Sequence, residues 1–295
     1  MKKVLNCFII SLSFFTGPTP VLSQDTLSLT GKILFIPPTG ASETAVDEEG
    51  NIFILSTGKN KLYKYFYTSS YDSCISIGGK GIDGEGLNQP INIQVVNRQS
   101  AYLLDQANRR LLVLNTNLKI VRSVNFMELD PANYTGNSHT QPWITDYAIT
   151  GSGDLFLLNQ EDNRVLKVDI FGKLQTVFGG LDYGNGALYE PEQMRSNGQN
   201  QLCVSEPERN RIQLYDLFGI YLFPLIPPKN IHWTRIATSD DFLICYNQTQ
   251  AWMYHFRTRE NRILNFSGVE KITDLEIGPK GIYLLDKKGV FLYPL

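Results

Sequence analysis

Six polar residues recur at one place in a pattern of short apolar runs: Glu43, Asn92, Asp146, Gln193, Arg235 and Asp274. The first four lie 13 residues before Ser56, Asp105, Asn159 and Glu206, the polar residues that end the runs IFILS, YLLD, LFLLN and LCVSE. For Arg235 and Asp274 the count slips by about one, with Thr234 and Thr273 beside them. Three carboxylates and two amides are hard oxygen donors of the kind calcium takes. Arg235 could instead neutralise a carboxylate or pair with an anionic group of a ligand. The plainer reading is that the six residues hydrate the mouth of a concavity, although polar groups converging on a concavity are also what ligand sites are made of. They form the candidate ligand-binding set, with calcium the cofactor they could hold. No residue is assigned a catalytic role.

Other chemistry is poorly represented. The histidines are His139, His232 and His255, none with a partner at metal-ligand spacing, and no G-x-S-x-G is present. GKGIDG at 79–84 matches G-x-G-x-x-G, but a dinucleotide site needs a helix next, and a strand pattern follows. DEEGN at 47–51 and GSGD at 151–154 resemble fragments of calcium loops, yet each stands where a hairpin must turn.

The elements that must position these residues are strands. Helical periodicity is nearly absent, and short runs of Ile, Leu, Val, Tyr and Phe are separated by Gly, Asn and Asp. Hairpins anchored at Ser56, Asp105, Asn159, Glu206, Asn247 and Asp286 are spaced by 49, 54, 47, 41 and 39 residues. That is the length of one blade of a β-propeller. Two links repeat a Gly-Gly, Gly-x-Gly, Leu-x-x-Pro order, GGKGIDGEGLNQP at 78–90 and GGLDYGNGALYEP at 179–191. An Asn-Arg pair recurs in the hairpin turn, as Asn108-Arg109, Asn163-Arg164 and Asn210-Arg211. A residue needed in every blade belongs first to architecture, since Asp and Asn stabilise turns.

With its Gly-rich entry, G-x-[IL]-[FY] strand, Asp-x-x-Asn-Arg turn and FGKLQTVFGG at 171–180, the chain resembles the NHL-repeat six-bladed β-propellers over essentially its whole mature length. The resemblance is strongest in repeats two to four. It implies an all-β propeller. Among six-bladed propellers it brings to mind amidating lyases with histidine-rich metal sites, for which too few histidines align here, and calcium-dependent lactonases with acidic and Asn ligands at the central channel. The sixth repeat stops after its third strand, and TGKILFIPP at 30–38 reads as a fourth strand with no hairpin before it. The ring is therefore expected to close by pairing the N-terminal strand with the C-terminal blade, which removes exposed sheet edges.

Lys2 and Lys3 precede an apolar run, Val4 to Phe15, and then Gly17-Pro18 and Val21-Leu22-Ser23. This is the plan of a signal peptide over 1–23, with the propeller over 24–295, exported to the periplasm or secreted. No run approaches the roughly 20 apolar residues of a membrane span. A net charge of -2 asks for no nucleic acid or anionic membrane as partner. Of the cysteines beyond the signal, Cys203 and Cys245 lie in apolar strands and read as small hydrophobes. The longest interval contains an insertion, MELDPANYTGNSHTQPW at 127–143, whose Tyr134, His139 and Trp143 are candidate partner contacts. The leading expectation is a non-catalytic recognition module for an extracytoplasmic protein, peptide or glycan. The alternative is a calcium-dependent, lactonase-like hydrolase or lyase acting at the channel.

Overall fold

Runs of β-branched and aromatic residues bounded by turn formers pair as hairpins, and six sheets follow from them. The computed structural model describes residues 25–81, 84–96, 100–129 and 141–295. The expected signal segment, Tyr134 and His139 lie outside these. Two strands come first, β1 (Thr26–Leu29) and β2 (Lys32–Phe35). Blade one is β3 (Glu43–Val46), β4 (Ile52–Ser56), β5 (Lys61–Tyr65) and β6 (Cys74–Gly78). Blade two is β7 (Pro90–Val96), β8 (Ser100–Asp105), β9 (Arg110–Leu114) and β10 (Ile120–Asn125). Blade three is β11 (Ile144–Ile149), β12 (Leu155–Asn159), β13 (Arg164–Val168) and β14 (Leu174–Gly179). Blade four is β15 (Gln193–Asn197), β16 (Gln201–Glu206), β17 (Arg211–Asp216) and β18 (Tyr221–Leu225). Blade five is β19 (Arg235–Thr238), β20 (Phe242–Tyr246), β21 (Ala251–His255) and β22 (Asn261–Phe266). Blade six takes β23 (Asp274–Gly278), β24 (Gly281–Asp286) and β25 (Gly289–Tyr293), with β2 as its outer strand. The fold is a six-bladed β-propeller. Among the described residues no helix is long and apolar enough to cross a membrane.

Closure occurs where the sequence places it, and in one respect goes further. β2 pairs antiparallel with β25, Ile33 opposite Phe291. Just before it, β1 pairs in parallel with β22, Leu27 opposite Leu264, so blade five gains a fifth strand. The N-terminal segment thus straps two blades instead of completing one. Parallel addition of a four-residue strand leaves no periodicity of its own, which is why sequence reasoning passed over it.

The hydrophobic core sits between the blades. Leu104 and Leu111 of blade two pack with Tyr147 and Leu157 of blade three, and Phe156 of blade three packs with Leu202 and Tyr215 of blade four. Each seam joins two neighbours in this way. The seam between blades five and six takes in Leu29 of β1, and the seam between six and one takes in Leu34 and Phe35 of β2.

The twin glycine links now have a physical cause. Gly78 and Gly179 hold φ of 105° and 78°, a region that L side chains rarely enter. A Cβ on either would come within 2.7 Å of the buried Leu87 or Leu188. Gly-Gly and the later Leu are one packing unit. The Asn-Arg pairing of the sequence needs a correction. Arg110, not Arg109, stands opposite Asp105 across the hairpin, as Arg164 stands opposite Asn159 and Arg211 opposite Glu206. Arg109 occupies the left-handed position (φ 52°) that Asn60, Asn163 and Asn210 hold in the other blades. Matching residue types gave the wrong register because Asn108 sits one step early.

Removing residues 26–36 deletes both straps and opens two seams, so the whole domain is expected to melt earlier in one transition. A smaller change probes the same corner. A Cβ at Gly31 would lie 2.5 Å from the Tyr293 ring, so Gly31→Val is expected to cost about 1–3 kcal/mol in urea unfolding. Separate early unfolding of blade six in either variant would show that closure is a local matter.

Candidate functional site

The inner strands β3, β7, β11, β15, β19 and β23 surround the central channel, and their register decides which side chains share a level. Glu43, Asp146, Gln193, Arg235 and Asp274 each stand opposite the residue just before the hairpin anchor of their blade, namely Leu55, Leu158, Ser205, Tyr246 and Leu285. Asn92 is the extra residue of a bulge between Ile91 and Ile93, in left-handed conformation (φ 52°). All six candidates therefore form one layer, as counting from the hairpins predicts.

What the layer does differs from simple hydration of a mouth. Asn92, Asp146 and Asp274 are buried. The amide N–H of Thr44 in blade one donates to Asp274 Oδ2 at 2.6 Å, and that of Met194 in blade four donates to Asp146 Oδ2 at 2.6 Å. The Ile236 amide of blade five donates to Gln193 Oε1 at 2.9 Å. Each bond runs from one inner strand to the next around the ring. Asn92 Nδ2 donates to Asp146 Oδ1. Arg235 bridges Glu43 at 3.1 Å and Asp274 at 3.2 Å, and the Tyr246 hydroxyl donates to Asp274 Oδ1 at 2.6 Å. Burial raises the pKa values of Glu43 and Asp146, opposed by Arg235 for the first and Arg195 for the second. Burial works against the charge of Arg235, yet Asp274 and Glu43 hold its pKa well above the ordinary value.

A second layer, two residues further along each strand, escaped sequence reasoning. Ala45, Gln94, Ala148, Arg195, Ala237 and Glu276 stand opposite Phe53, Tyr102, Phe156, Cys203, Ile244 and Tyr283. Small and long residues alternate around the ring, which suits a crowded axis. Adding two to each first-layer number would have found them, given period-two alternation. Gln94 is spent on the Tyr147 carbonyl, and Arg195 on Asp146 Oδ2 at 3.3 Å and the Met194 carbonyl at 2.7 Å. Among the described residues, the carboxyl of Glu276 hydrogen-bonds only with the Ile277 amide. Burial pushes its pKa up to about 8, with Asp274 adding to the rise and Arg195 and Arg235 opposing it.

Two cavities meet the channel at opposite ends. A bowl of about 880 Å³ is ringed by the last residues of the inner strands, Val46, Val96, Ile149, Asn197, Thr238 and Gly278, with Arg195 and Glu276 inside it. At the end where the blade-to-blade links run, a cavity of about 780 Å³ lies between blades five and six and the 36–41 connector, and Arg235, Lys271 and Lys287 line it. Among the described residues no group of three or more His, Cys, Asp and Glu could hold a metal ion. Glu43, Asp146, Gln193 and Asp274 accept from amides or guanidinium groups, while Asn92 Oδ1 is buried with no donor among the described residues. The fragments at 47–51 and 151–154 are turns, in which Asp47 Oδ1 accepts from the Glu49 and Asn51 amides and Asp154 joins Ser152 and Lys167.

The repeated hairpin residues fasten the links. Asp105 takes the Asn88 amide at 2.7 Å and Arg110 at 2.8 Å, and Glu206 takes the Tyr189 amide at 2.5 Å together with Arg211. Of the expected partner contacts, Trp143 is 38 % exposed, with the Arg109 guanidinium 5.9 Å from its ring centroid. The described cysteines are unpaired, with Cys203 and Cys245 buried and Cys74 exposed.

The raised pKa of Glu276 carries a stability signature. Between the ordinary value of 4.5 and about 8, native protein keeps a proton that unfolded chain releases, so stability falls as pH rises through that window. Glu276→Gln removes this loss. The melting temperature of the variant is expected to match the parent near pH 5 and exceed it by pH 9; a gap that does not change with pH would mean Glu276 titrates normally.

No known protein family's sequence profile matches the chain, and no characterised protein matches it in sequence. Solved structures do match in shape. A streptogramin B lyase superposes with a TM-score of 0.61 at 11% identity, covering 88% of this chain and 96% of that one. Selenomethionine-substituted virginiamycin B lyase from Staphylococcus aureus gives 0.56 at 12%, over 85% and 79%. A catalytically inactive histidine-to-alanine variant of that enzyme, with quinupristin, gives 0.57 at 12%, over 87% and 81%. At such identities the likeness is one of propeller fold.

Proposed function

We propose that this protein is a non-catalytic recognition module of the extracytoplasmic space, which binds a protein, peptide or glycan through the face that carries the blade-to-blade links. The observation that carries the reading is the state of that face. Trp143 and Tyr189 are exposed there, each with a guanidinium near its ring, Arg109 at 5.9 Å and Arg209 at 4.0 Å. Tryptophan, tyrosine and arginine are the types that carry most binding energy at interfaces. Tyr134 and His139 belong to the insertion beside Trp143, and the reading gives them the same role. The channel layer below is committed to joining blades, and a group engaged with a backbone amide is poorly placed to move protons for a substrate.

One observation favours the alternative of a hydrolase or lyase at the channel: Glu276 holds a proton at neutral pH, as a general acid would. Against it, the described histidines stand apart from both cavities, His232 exposed in a link and His255 accepting the Arg257 amide at 3.1 Å through Nδ1. In the inactive relative a histidine has been replaced.

Two measurements separate the readings. Trp143→Ala, or deletion of residues 130–139, is expected to leave the melting temperature within a few degrees and to weaken capture of the native partner from the extracytoplasmic fraction at least about tenfold. Undiminished capture by both variants would remove the link face from consideration. Incubation with quinupristin is expected to leave its chromatographic retention unchanged, and conversion to a new species would select the lyase.

A further inference from the structure

The bowl on the face opposite the links is a separate matter. Its floor holds Gln94, Arg195 and Glu276 on alternate blades, while Ala45, Ala148 and Ala237 leave open space between them. Gln94 and Arg195 are already bonded within the ring. Glu276, by contrast, has no side-chain partner among the described residues, and it stands at the bottom of an 880 Å³ cavity large enough for several residues of a peptide. An uncommitted carboxyl at the floor of a cavity lacks the partner that a ligand would supply.

Carboxyl groups outnumber cations in the lining. Asp240 is an exposed carboxylate of the lining, Asp47 lies 3.6 Å from Lys64 and Asp241 2.9 Å from Arg257, and Lys280 on the rim is folded over the Tyr67 ring with its ammonium 3.1 Å from the centroid. The guanidinium of Arg195 is matched by Asp146 at 3.3 Å. The opposite cavity has the reverse character, with Arg235, Lys271 and Lys287 beside Asp286. Opposite-end polarity of this kind steers a charged ligand to one mouth.

We propose that the bowl binds a basic peptide segment, one of whose ammonium or guanidinium groups descends the channel axis and ion-pairs with Glu276 while another meets Asp240 on the rim. A carboxyl on the floor and the exposed Asp240 on the rim suit an extended chain of cations better than one compact ion, and no metal-holding cluster is present among the described residues. Binding displaces the proton that Glu276 holds at neutral pH. The charged groups that face it are Arg195 from β15, Arg235 from β19 and Asp274 from its own strand, with Glu43 on β3 beyond them and Tyr283 opposite on β24. The arginines stay charged across the working range, and lysine ligands stay protonated to about pH 10. Glu276 is then the main source of pH dependence, and affinity rises with pH until the group is ionised without help.

The probe is an acetylated, amidated tetra-lysine peptide, compared by calorimetry with tetra-glutamate and spermidine at pH 6.0 and 8.5. Tetra-lysine is expected to bind roughly fiftyfold more tightly at pH 8.5 than at 6.0, since two units of ionisation are worth up to about a hundredfold, with close to one proton released per peptide at pH 7. Glu276→Gln should abolish both the slope and the proton release. Asp240→Lys, an exposed rim change that leaves the floor intact, should weaken binding about tenfold and serves if Glu276→Gln disturbs the fold. Spermidine binding as tightly as the peptide would overturn the peptide in favour of a free polyamine. Absence of tetra-lysine binding at pH 8.5, or an unchanged slope in Glu276→Gln, would overturn the site. None of these outcomes bears on the link face, whose test uses other residues and another ligand.

Discussion

Each sheet in this protein can bury its faces only against the sheets beside it, and that constraint governs the rest of the structure. A four-stranded blade has apolar residues on both sides, with Phe53 and Ile54 adjacent in one strand and Phe156 and Leu157 in another, all at or below 2 % exposure. Neither side is satisfied until a neighbour arrives, and the last seam to form has no neighbour unless the chain ends return to it. β1 and β2 are the return. One continuous segment of about a dozen residues places Leu29 in one seam and Leu34 and Phe35 in the next, so apolar burial on both sides of blade six rests on a short stretch of chain.

At the axis the seams narrow until side chains no longer fit, and there the fastening changes from apolar to polar. Inner-strand N–H groups that have no further strand to pair with need acceptors. Asp274, Asp146 and Gln193 provide them across to the next blade. A carboxylate bonded to an amide in a buried site needs neutralisation as well, which is the work of Arg195 and Arg235. The polar core of the channel is thereby explained by backbone satisfaction. The same logic holds at the links, where Asp105 and Glu206 each accept an amide and carry an arginine. Groups consumed in this way leave Glu276 and the buried, unpartnered Asn92 Oδ1 as exceptions, and an exception in a repeat structure is where function is to be sought.

The two ends of the channel are built from different parts of the repeat, which is why they differ in charge. Links and second hairpin turns form one end, and this end carries Lys271, Lys287 and the aromatic pairs of Trp143 and Tyr189. First hairpin turns form the other, and turn chemistry favours Asp there, as in Asp47 and Asp240. A structural preference for acidic turns has the side effect of an acidic bowl. Arg109 illustrates the converse: placed in a left-handed turn position that elsewhere holds Asn, it frees its guanidinium to lie against Trp143.

The sequence by itself determined the all-β class, the six blades, the closing role of residues 32–35 and the layer that holds Glu43, Asn92, Asp146, Gln193, Arg235 and Asp274. These follow from spacing, and spacing survives because every blade solves the same packing problem. Only the tertiary structure decided what those residues touch. That Asp146 bonds to Met194, 48 positions away, and Asp274 to Thr44, 230 positions away, depends on which blade lies beside which and on a bulge at Asn92. The parallel seat of β1 and the one-residue slip of Arg109 against Arg110 were illegible for a related reason: backbone pairing, not residue type, sets register. In the sequence Glu276 is one more polar residue in a strand pattern. Its half-buried place at the floor of a bowl, with no side-chain partner among the described residues, exists only once six strands converge on an axis.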